Sequence, residues 1–290
     1  MKYDILFSYF YRYSFFAALL AKCFGKKTYF TGGIDSLDSD YASAFNYKIQ
    51  ALFFKLCYWV ADSCIIVSQS DLKNIFKVSS LKKKLSYSEH VINTKLFIAD
   101  VPKEKIFTSI VWMGDEGNVV RKGVDKALQI FAELKKIPEF VDYRFVIIGR
   151  KGEGEVLVRS IIDKYNLKGS VELKGEVSEE DKINLLKQSK YYFQLSLYEG
   201  FGLAALEALC ANNIIIHSGK GGLANPIYKE QLLFDIDNDF DSELLKLVNK
   251  LACFTPITSY DNLLEYYDIQ RRKDDFEAII VNGKSNYKLK

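Results

Sequence analysis

The chain has 290 residues, 49% of them hydrophobic and 27% charged, with a formal net charge of +3. This is the composition of a folded globular protein; it excludes disordered and low-complexity architectures, and the length suits about two domains. With only 2 histidines, His90 and His217, and 5 scattered cysteines without a CxxC, a histidine-rich zinc site or a Ser-His-Asp triad is disfavoured, and the thiols read as reduced core residues of a cytoplasmic protein.

Residues 1–105 hold 15 Lys and Arg against 9 Asp and Glu, a net +6, whereas the remainder holds 25 against 28. Lys22, Lys26, Lys27 and the run Lys82-Lys83-Lys84 are therefore candidates to face anionic headgroups or an anionic acceptor. A solvated lysine-rich face is the plainer reading of any one cluster. Ile5 to Leu20 is apolar and aromatic, but Arg12 interrupts it, and tyrosines and serines dilute it below the roughly 20 clean apolar residues of a membrane span. It predicts a strand at Asp4–Phe7 and a buried helix ending at Gly25. No small-residue cleavage pattern of a secretory signal follows.

Further strands are expected at Thr28–Thr31, Cys64–Ser68 and His90–Ile92, with a strongly apolar helix over Ile49–Ala61. From position 110 short β-branched runs alternate with helical patterns. "SIVWM" reads as strand, "VDKALQIFAELKK" as helix, "RFVIIG" as strand, 154–165 as a polar helix and "VEL" as strand. Ser178 with Asp181 three residues on opens the next helix as a capping pair, followed by "YYFQLS", an apolar helix and "IIIHS". Repeated βα units build parallel sheets covered on both faces. The pattern divides the chain into two α/β lobes, 1–104 and 105–260, with the boundary near Ala99–Lys105, followed by a final helix and tail at 261–290. The cleft between lobes is the default site.

Between Phe201 and Cys210 every residue is apolar or glycine except Glu207, and a charged group in such a stretch needs a partner. "YYFQLS" delivers the chain to a strand's carboxyl end, "YEGFG" turns it, and a helix begins near Leu203. Its free N–H groups attract phosphate, and Gly200 and Gly202 allow close approach. Glu199 and Glu207 flank that helix start and suit the hydroxyls of a nucleotide-sugar. A structural ion pair with a nearby lysine is the alternative for Glu207, and a plain surface lysine the alternative for Lys122.

Glu199–Glu207, "EGFGLAALE", resembles the E-x7-E motif of retaining glycosyltransferases with the GT-B fold, family 4 type. The similarity continues through "RKGVDKALQIFAEL", "RFVIIG", "VELKGEVSEEDKINLLKQS" and "GKGGLANPI", covering nearly all of residues 106–236. It implies an α/β, GT-B-like fold of two Rossmann-like lobes with parallel sheets. It implies that Glu207 holds ribose hydroxyls, Glu199 contacts the donor sugar, the backbone at Phe201, Gly202 and Leu203 meets sugar and diphosphate, and Lys122 neutralises the phosphates. The implied reaction is retaining transfer from a UDP- or GDP-linked sugar to a glycan or lipid-linked acceptor in cell-surface polysaccharide or glycan assembly. It needs no metal and no cofactor and involves no nucleic acid, in the cytoplasm or peripherally at the inner face of the membrane.

The sequence departs from that pattern in three places. Gly114-Asp115 stands where a Gly-Arg pair is usual, the loop to Lys122 is longer, and Arg121 is the candidate to replace the missing cation. Gly32 and Gly33 stand where a histidine is common, and Asp38-Ser39-Asp40 has metal-motif spacing but reads better as a helix start. The opening resembles the middle of a family N-terminal lobe, so the lobe reads as incomplete, to be completed by self-association or a partner subunit. These departures keep a second class open, a non-catalytic GT-B scaffold binding a partner transferase or acceptor protein. The glutamates and Lys122 favour the enzyme. A sugar-nucleotide epimerase would require acid/base histidines that these positions lack.

Overall fold

The computed structural model describes residues 4–32, 37, 42–78, 82–98, 101–254 and 261–282. Asp38-Ser39-Asp40, Gly33 and Ala99 fall outside them. The amino-terminal elements are β1 (Ile5–Tyr9), α1 (Tyr11–Cys23), β2 (Lys27–Thr31), α2 (Ala44–Val60), β3 (Ser63–Ile66), α3 (Gln69–Val78) and β4 (Leu85–Tyr87). Their strands pair in parallel in the order β1-β2-β3-β4, as helical crossovers between successive strands require. Tyr11 of α1 stacks on Phe30 of β2 and tilts against Phe54 of α2, with centroids 5.5 and 5.3 Å apart, so the inner faces of α1 and α2 cover one side of this sheet.

The chain continues through β5 (Glu104–Ile110), α4 (Glu116–Arg121), α5 (Val124–Leu134), β6 (Arg144–Ile148), α6 (Glu155–Lys164), β7 (Val171–Gly175), α7 (Glu179–Gln188), β8 (Ser189–Gln194), α8 (Leu203–Cys210), β9 (Ile214–His217), β10 (Leu232–Leu233), α9 (Phe240–Cys253) and α10 (Asp261–Tyr266). These strands form an all-parallel sheet ordered β10-β9-β8-β5-β6-β7. Phe107, fully buried in central β5, stacks on Tyr191 and Phe193 of β8 at 4.6 and 5.1 Å. Removing such a ring costs about 3–5 kcal/mol, and that packing makes the sheet a stiff platform for the loops at its carboxyl edge.

The last helix, α11 (Ile269–Asn282), belongs with the first sheet. Phe276 stacks on Phe7 of β1 at 5.4 Å. A buried polar network fixes the helix: Tyr87 and Tyr267 donate to the Glu89 carboxylate at 2.5 and 3.1 Å, and Ser88 and Arg271 donate to Asp275 at 2.9 and 3.0 Å. The chain thus divides into two compact units. One is built on β1 to β4 with Glu199–Phe201 and the segment from Tyr267, the other on the rest. The α/β architecture with parallel sheets is as expected from the alternating pattern.

Several local expectations are corrected. The fourth strand is Leu85–Tyr87 rather than His90–Ile92, where Ile92 makes only an isolated bridge to Asp268. Its centre is Ser86, buried through a 2.9 Å hydroxyl contact with Ser63, so hydropathy did not mark it. "SIVWM" contributes only Ser109 and Ile110 to β5, although Val111 and Met113 still donate to Ile148 and Arg150 carbonyls at 2.9 Å. The terminal helix breaks at Tyr267-Asp268, where the Tyr267 carbonyl accepts from Ile92 N–H at 3.0 Å.

Three of the six lysines in the basic clusters are held by the fold. Lys22 pairs with Asp62 at 2.8 Å and Lys26 with Asp4 at 3.0 Å. Lys84 donates to the Tyr58, Trp59 and Ala61 carbonyls at 3.2, 2.9 and 2.7 Å, capping the negative end of α2. Helix α1 is buried on one side only, with Tyr13, Phe16 and Leu20 exposed. Among the described residues no helix is long and apolar enough to cross a membrane.

Burial holds both imidazoles down to about 4, with the Arg272 guanidinium adding to the effect on His90. Both folded values lie below the ordinary one, so the unfolded chain takes up protons first as the pH falls. Their contribution is therefore complete above about pH 6.5 and is lost progressively towards pH 4, by about 3 kcal/mol for deeply buried His217 and less for half-buried His90. Urea midpoints at pH 7.5 and 4.5 should show this fall, and His217→Gln should flatten it. Equal slopes for parent and variant would mean that His217 is solvated in the folded protein.

Candidate functional site

In the larger sheet the strand order reverses at the centre. From β5 the chain runs outward through β6 and β7, then returns to the other flank at β8 before proceeding to β9 and β10. Ligands of open α/β sheets bind outside the carboxyl ends at such a reversal. The loop after β5 carries Arg121 and Lys122, and the loop after β8 leads to Gly202 and Leu203, so the topology puts these candidates beside the same switch point.

The first loop is held by backbone. Gly123 has φ +68°, and a Cβ there would lie 2.0 Å from the Leu195 carbonyl oxygen just past β8. The Arg121 carbonyl accepts from Leu197 N–H at 2.8 Å. Lys122 is thereby fixed, half-buried, at the C-cap of α4 with its turn pinned against the end of β8. Helix α4 itself was not expected, and it explains both the longer loop and Asp115. That carboxylate is the N-cap, accepting from Asn118 N–H at 2.6 Å, a role in which aspartate is among the best residues.

Arg121 donates from Nε and Nη2 to Asn118 Oδ1 at 3.2 and 2.6 Å, while Asn118 Nδ2 donates to the Trp112 carbonyl. Its guanidinium is thus engaged by its own helix. This is the placement that residue spacing left open.

The second loop ends at Gly202, which takes the left-handed conformation (φ +86°) and starts α8 with no side-chain cap. Tyr228 Oη donates to the Gly202 carbonyl at 3.3 Å and braces the turn. Leu203, the first residue of α8, is 41% exposed, and the N–H groups of a helix's first turn have no partner within the helix, which suits them to an anion. Glu199 and Phe201 cluster with the other unit. There Phe201 is buried, its ring 5.4 Å from His90 and 6.2 Å from Tyr267.

Glu207 meets Lys182. The ammonium on α7 lies 3.0 Å from each carboxylate oxygen, both side chains being about one-sixth exposed (16% and 17%), and it also reaches Glu179 at 2.7 Å. Burial drives the Glu207 carboxyl above its ordinary range, against the opposing pull of Lys182. Burial alone would lower Lys182, but its bonds to Glu179 and Glu207 outweigh this and raise it. The carboxylate sits at the edge of an otherwise apolar helix, held by one cation that another carboxylate shares. Lys182 was not picked out as a site residue, because "SEEDKIN" reads as a solvated helix start; the only signal was Glu207's need for a partner. Among the described residues no group of His, Cys, Asp and Glu is placed to hold a metal ion.

Residues 117–252 match the family described as Glycosyl transferases group 1. A GDP-mannose:cellobiosyl-diphosphopolyprenol alpha-mannosyltransferase of Xanthomonas oryzae pv. oryzae is 32% identical over 163 residues, 49% of this chain and 40% of that protein. A subunit of the phosphatidylinositol N-acetylglucosaminyltransferase of Arabidopsis thaliana is 25% identical over 215 residues, 72% of this chain and 46% of that one. The chain thus spans less than half the length of these two relatives. Among solved structures, HepE of Anabaena in complex with UDP-glucose superposes with a TM-score of 0.77 at 13% identity, covering 97% of this chain and 79% of that chain. That likeness establishes the GT-B type of fold.

The ion pair and the glycine contact can both be tested on the unliganded protein. Glu207→Ala leaves Lys182 to Glu179 alone and should cost about 1–2 kcal/mol, below the range for a fully buried pair; the double variant Glu207→Ala/Lys182→Met should recover most of it in urea denaturation. Additive losses would show that the two side chains do not act as a pair. Gly123→Ala combines a left-handed backbone with a main-chain clash and should cost at least about 2 kcal/mol. A melting temperature equal to the parent's would show that the turn is not pinned on β8.

Proposed function

We propose, from the match of residues 117–252 to the glycosyl transferases group 1 family, that the protein transfers a sugar from a UDP- or GDP-linked donor to a hydroxyl of a glycan or lipid-linked acceptor. The anomeric configuration is retained. The observation that carries this reading is the uncapped start of α8 beside the pinned Lys122 turn at the switch point. The donor diphosphate lies on the α8 amides and Lys122, ribose hydroxyls donate to Glu207, and Glu199 addresses the sugar. As the anomeric C–O bond breaks, charge grows on the departing diphosphate, where preorganised N–H groups and a lysine are most effective. No metal is required.

The names of the relatives support the substrate classes: one is a GDP-mannose-dependent transferase acting on a diphosphopolyprenol-linked sugar, and another belongs to a phosphatidylinositol N-acetylglucosaminyltransferase. A UDP-glucose complex of the same fold supports a nucleotide-linked donor. The setting that suits these chemistries is assembly of a cell-surface polysaccharide or glycan at the cytoplasmic face of a membrane. A second reading, a non-catalytic GT-B scaffold, is favoured by Asp115. It caps α4 where the family resemblance implies an arginine, and Arg121 is occupied by Asn118.

A nucleoside diphosphate at 100 times its dissociation constant should stabilise the protein by about 2.7 kcal/mol, and Glu207→Gln should weaken that binding by about 1.5–3 kcal/mol. Thermal shifts with UDP, GDP and ADP measure the first, and titration of the variant the second. Product anomers from a radiolabelled or NMR-followed transfer, run with and without EDTA, test retention and metal independence. Binding without turnover across donors and acceptors would move the conclusion to the scaffold; no binding of any nucleotide would overturn the donor site.

A further inference from the structure

Three of the six lysines that the charge count singled out are engaged in structural contacts, and the exposed apolar surface of the amino-terminal unit lies elsewhere. On α1 and its C-cap, Tyr13, Phe16, Leu20 and Phe24 are 82%, 71%, 55% and 62% exposed. Their spacing confines them to an arc of about 80° at 3.6 residues per turn. On α2, Phe45, Leu52 and Trp59 are 72%, 55% and 73% exposed, and Lys48 and Lys55 are exposed between them; these five positions occupy another arc of about 80°. Phe15 and Phe53 join the helices at 6.1 Å, and both helices turn their inner faces to the same side of the first sheet. The two stripes therefore face outward together.

We propose that this face of α1 and α2 docks on an anionic lipid bilayer, lying in its interface. An exposed apolar surface of this extent marks an interaction site, and three observations select its occupant. Neither helix contains a single Asp or Glu. Arg12, Lys48 and Lys55 are exposed without an ion pair among the described residues, leaving their charge for headgroup phosphates. Lys48 and Lys55 alternate with Phe45, Leu52 and Trp59 along α2 and line one edge of that arc, beside the apolar side chains. The cores of protein–protein interfaces are depleted of lysine, whereas an interfacial helix buries ring and aliphatic surface while lysine stems carry their ammonium groups up to the headgroups. Neither helix meets the length and apolarity of a span, so contact is with one leaflet. The inference goes beyond donor chemistry and does not depend on it.

Cosedimentation of the whole chain with vesicles of phosphatidylcholine alone, and with about one-third phosphatidylglycerol, tests the proposal. Binding should be roughly tenfold stronger to the anionic vesicles. Phe16→Ser/Trp59→Ser should reduce it by at least roughly tenfold on both, and Lys48→Ala/Lys55→Ala should remove the preference for anionic lipid. In a Trp112→Phe background, Trp59 emission should shift to the blue with vesicles. All substituted side chains are exposed, so melting temperatures should match the parent; if the first pair proves unstable, Phe45→Ser/Leu52→Ser interrogates the same face. Failure to sediment with either vesicle, or sedimentation unaffected by both double variants, overturns the proposal. So does concentration-dependent light scattering, without vesicle binding, that Phe16→Ser/Trp59→Ser abolishes, which would make the occupant a second copy of the chain.

Discussion

The close approach of one glycine to one carbonyl organises the candidate site. With Gly123 in the left-handed region and no room for a Cβ against Leu195 O, α4 and α5 cannot be joined by any ordinary residue without lifting the turn off β8. The turn is what carries Lys122, and β8 is what delivers the chain towards the uncapped start of α8. A similar contact recurs one strand over, where a Cβ on Gly149 would lie 2.0 Å from the Val111 carbonyl. The loops beyond β5, β6 and β8 are thus set by backbone packed on backbone, which has few soft degrees of freedom. The proposed diphosphate site of amides and one lysine would benefit from that stiffness, because its dipoles need not reorganise when charge arrives.

The Glu207–Lys182 pair adds a different kind of constraint. An ionised carboxylate at the margin of an apolar helix is stable only if something replaces the water it has lost, and here a single ammonium divides itself between Glu207 and Glu179. A hydroxyl-bearing ligand arriving at Glu207 does not have to desolvate a free carboxylate. It meets one already dehydrated and oriented, with Glu179 ready to keep Lys182 neutralised. The pair and the binding reading of Glu207 are therefore compatible. The carboxylate has lone pairs beyond those a single ammonium occupies, and the ion pair fixes where the remaining ones point.

Much of this architecture was legible in the residues. The alternation of "RFVIIG", "VEL" and "IIIHS" with amphipathic helices produced the parallel sheet, and Ser178 caps α7 by accepting from Asp181 N–H at 3.0 Å. What escaped was held by long-range partners. Strand β4 hides behind Ser86 because its burial rests on Ser63, and α4 hides because its Asp115 cap was weighed as a missing cation instead of as a helix start. The reach of Arg121 to Asn118 and of Lys182 to Glu207 is a matter of side-chain direction, which spacing alone does not fix. The E-x7-E spacing put Glu199 and Glu207 on one short segment, yet Glu199 clusters with one unit and Glu207 with the other.

Charge shows the same division between composition and place. Lys84 donates to three carbonyls at the end of α2, and Lys103 does the same at the ends of α7 and α8, with 3.3, 2.8 and 2.5 Å contacts to Leu186, Lys187 and Ala211. Burial pulls Lys103 down to about 8, and its three acceptors supply what the lost water supplied. Such lysines complete the helix termini. Lys48 and Lys55, unremarkable in a count of clusters, stand on a helix without a carboxylate and between exposed rings. The net positive charge of the first third is thus divided between cations consumed by the fold and cations left to the surface. The surface ones lie where apolar side chains also lack a partner, and that coincidence, rather than the total, is what defines a face for an anionic interface.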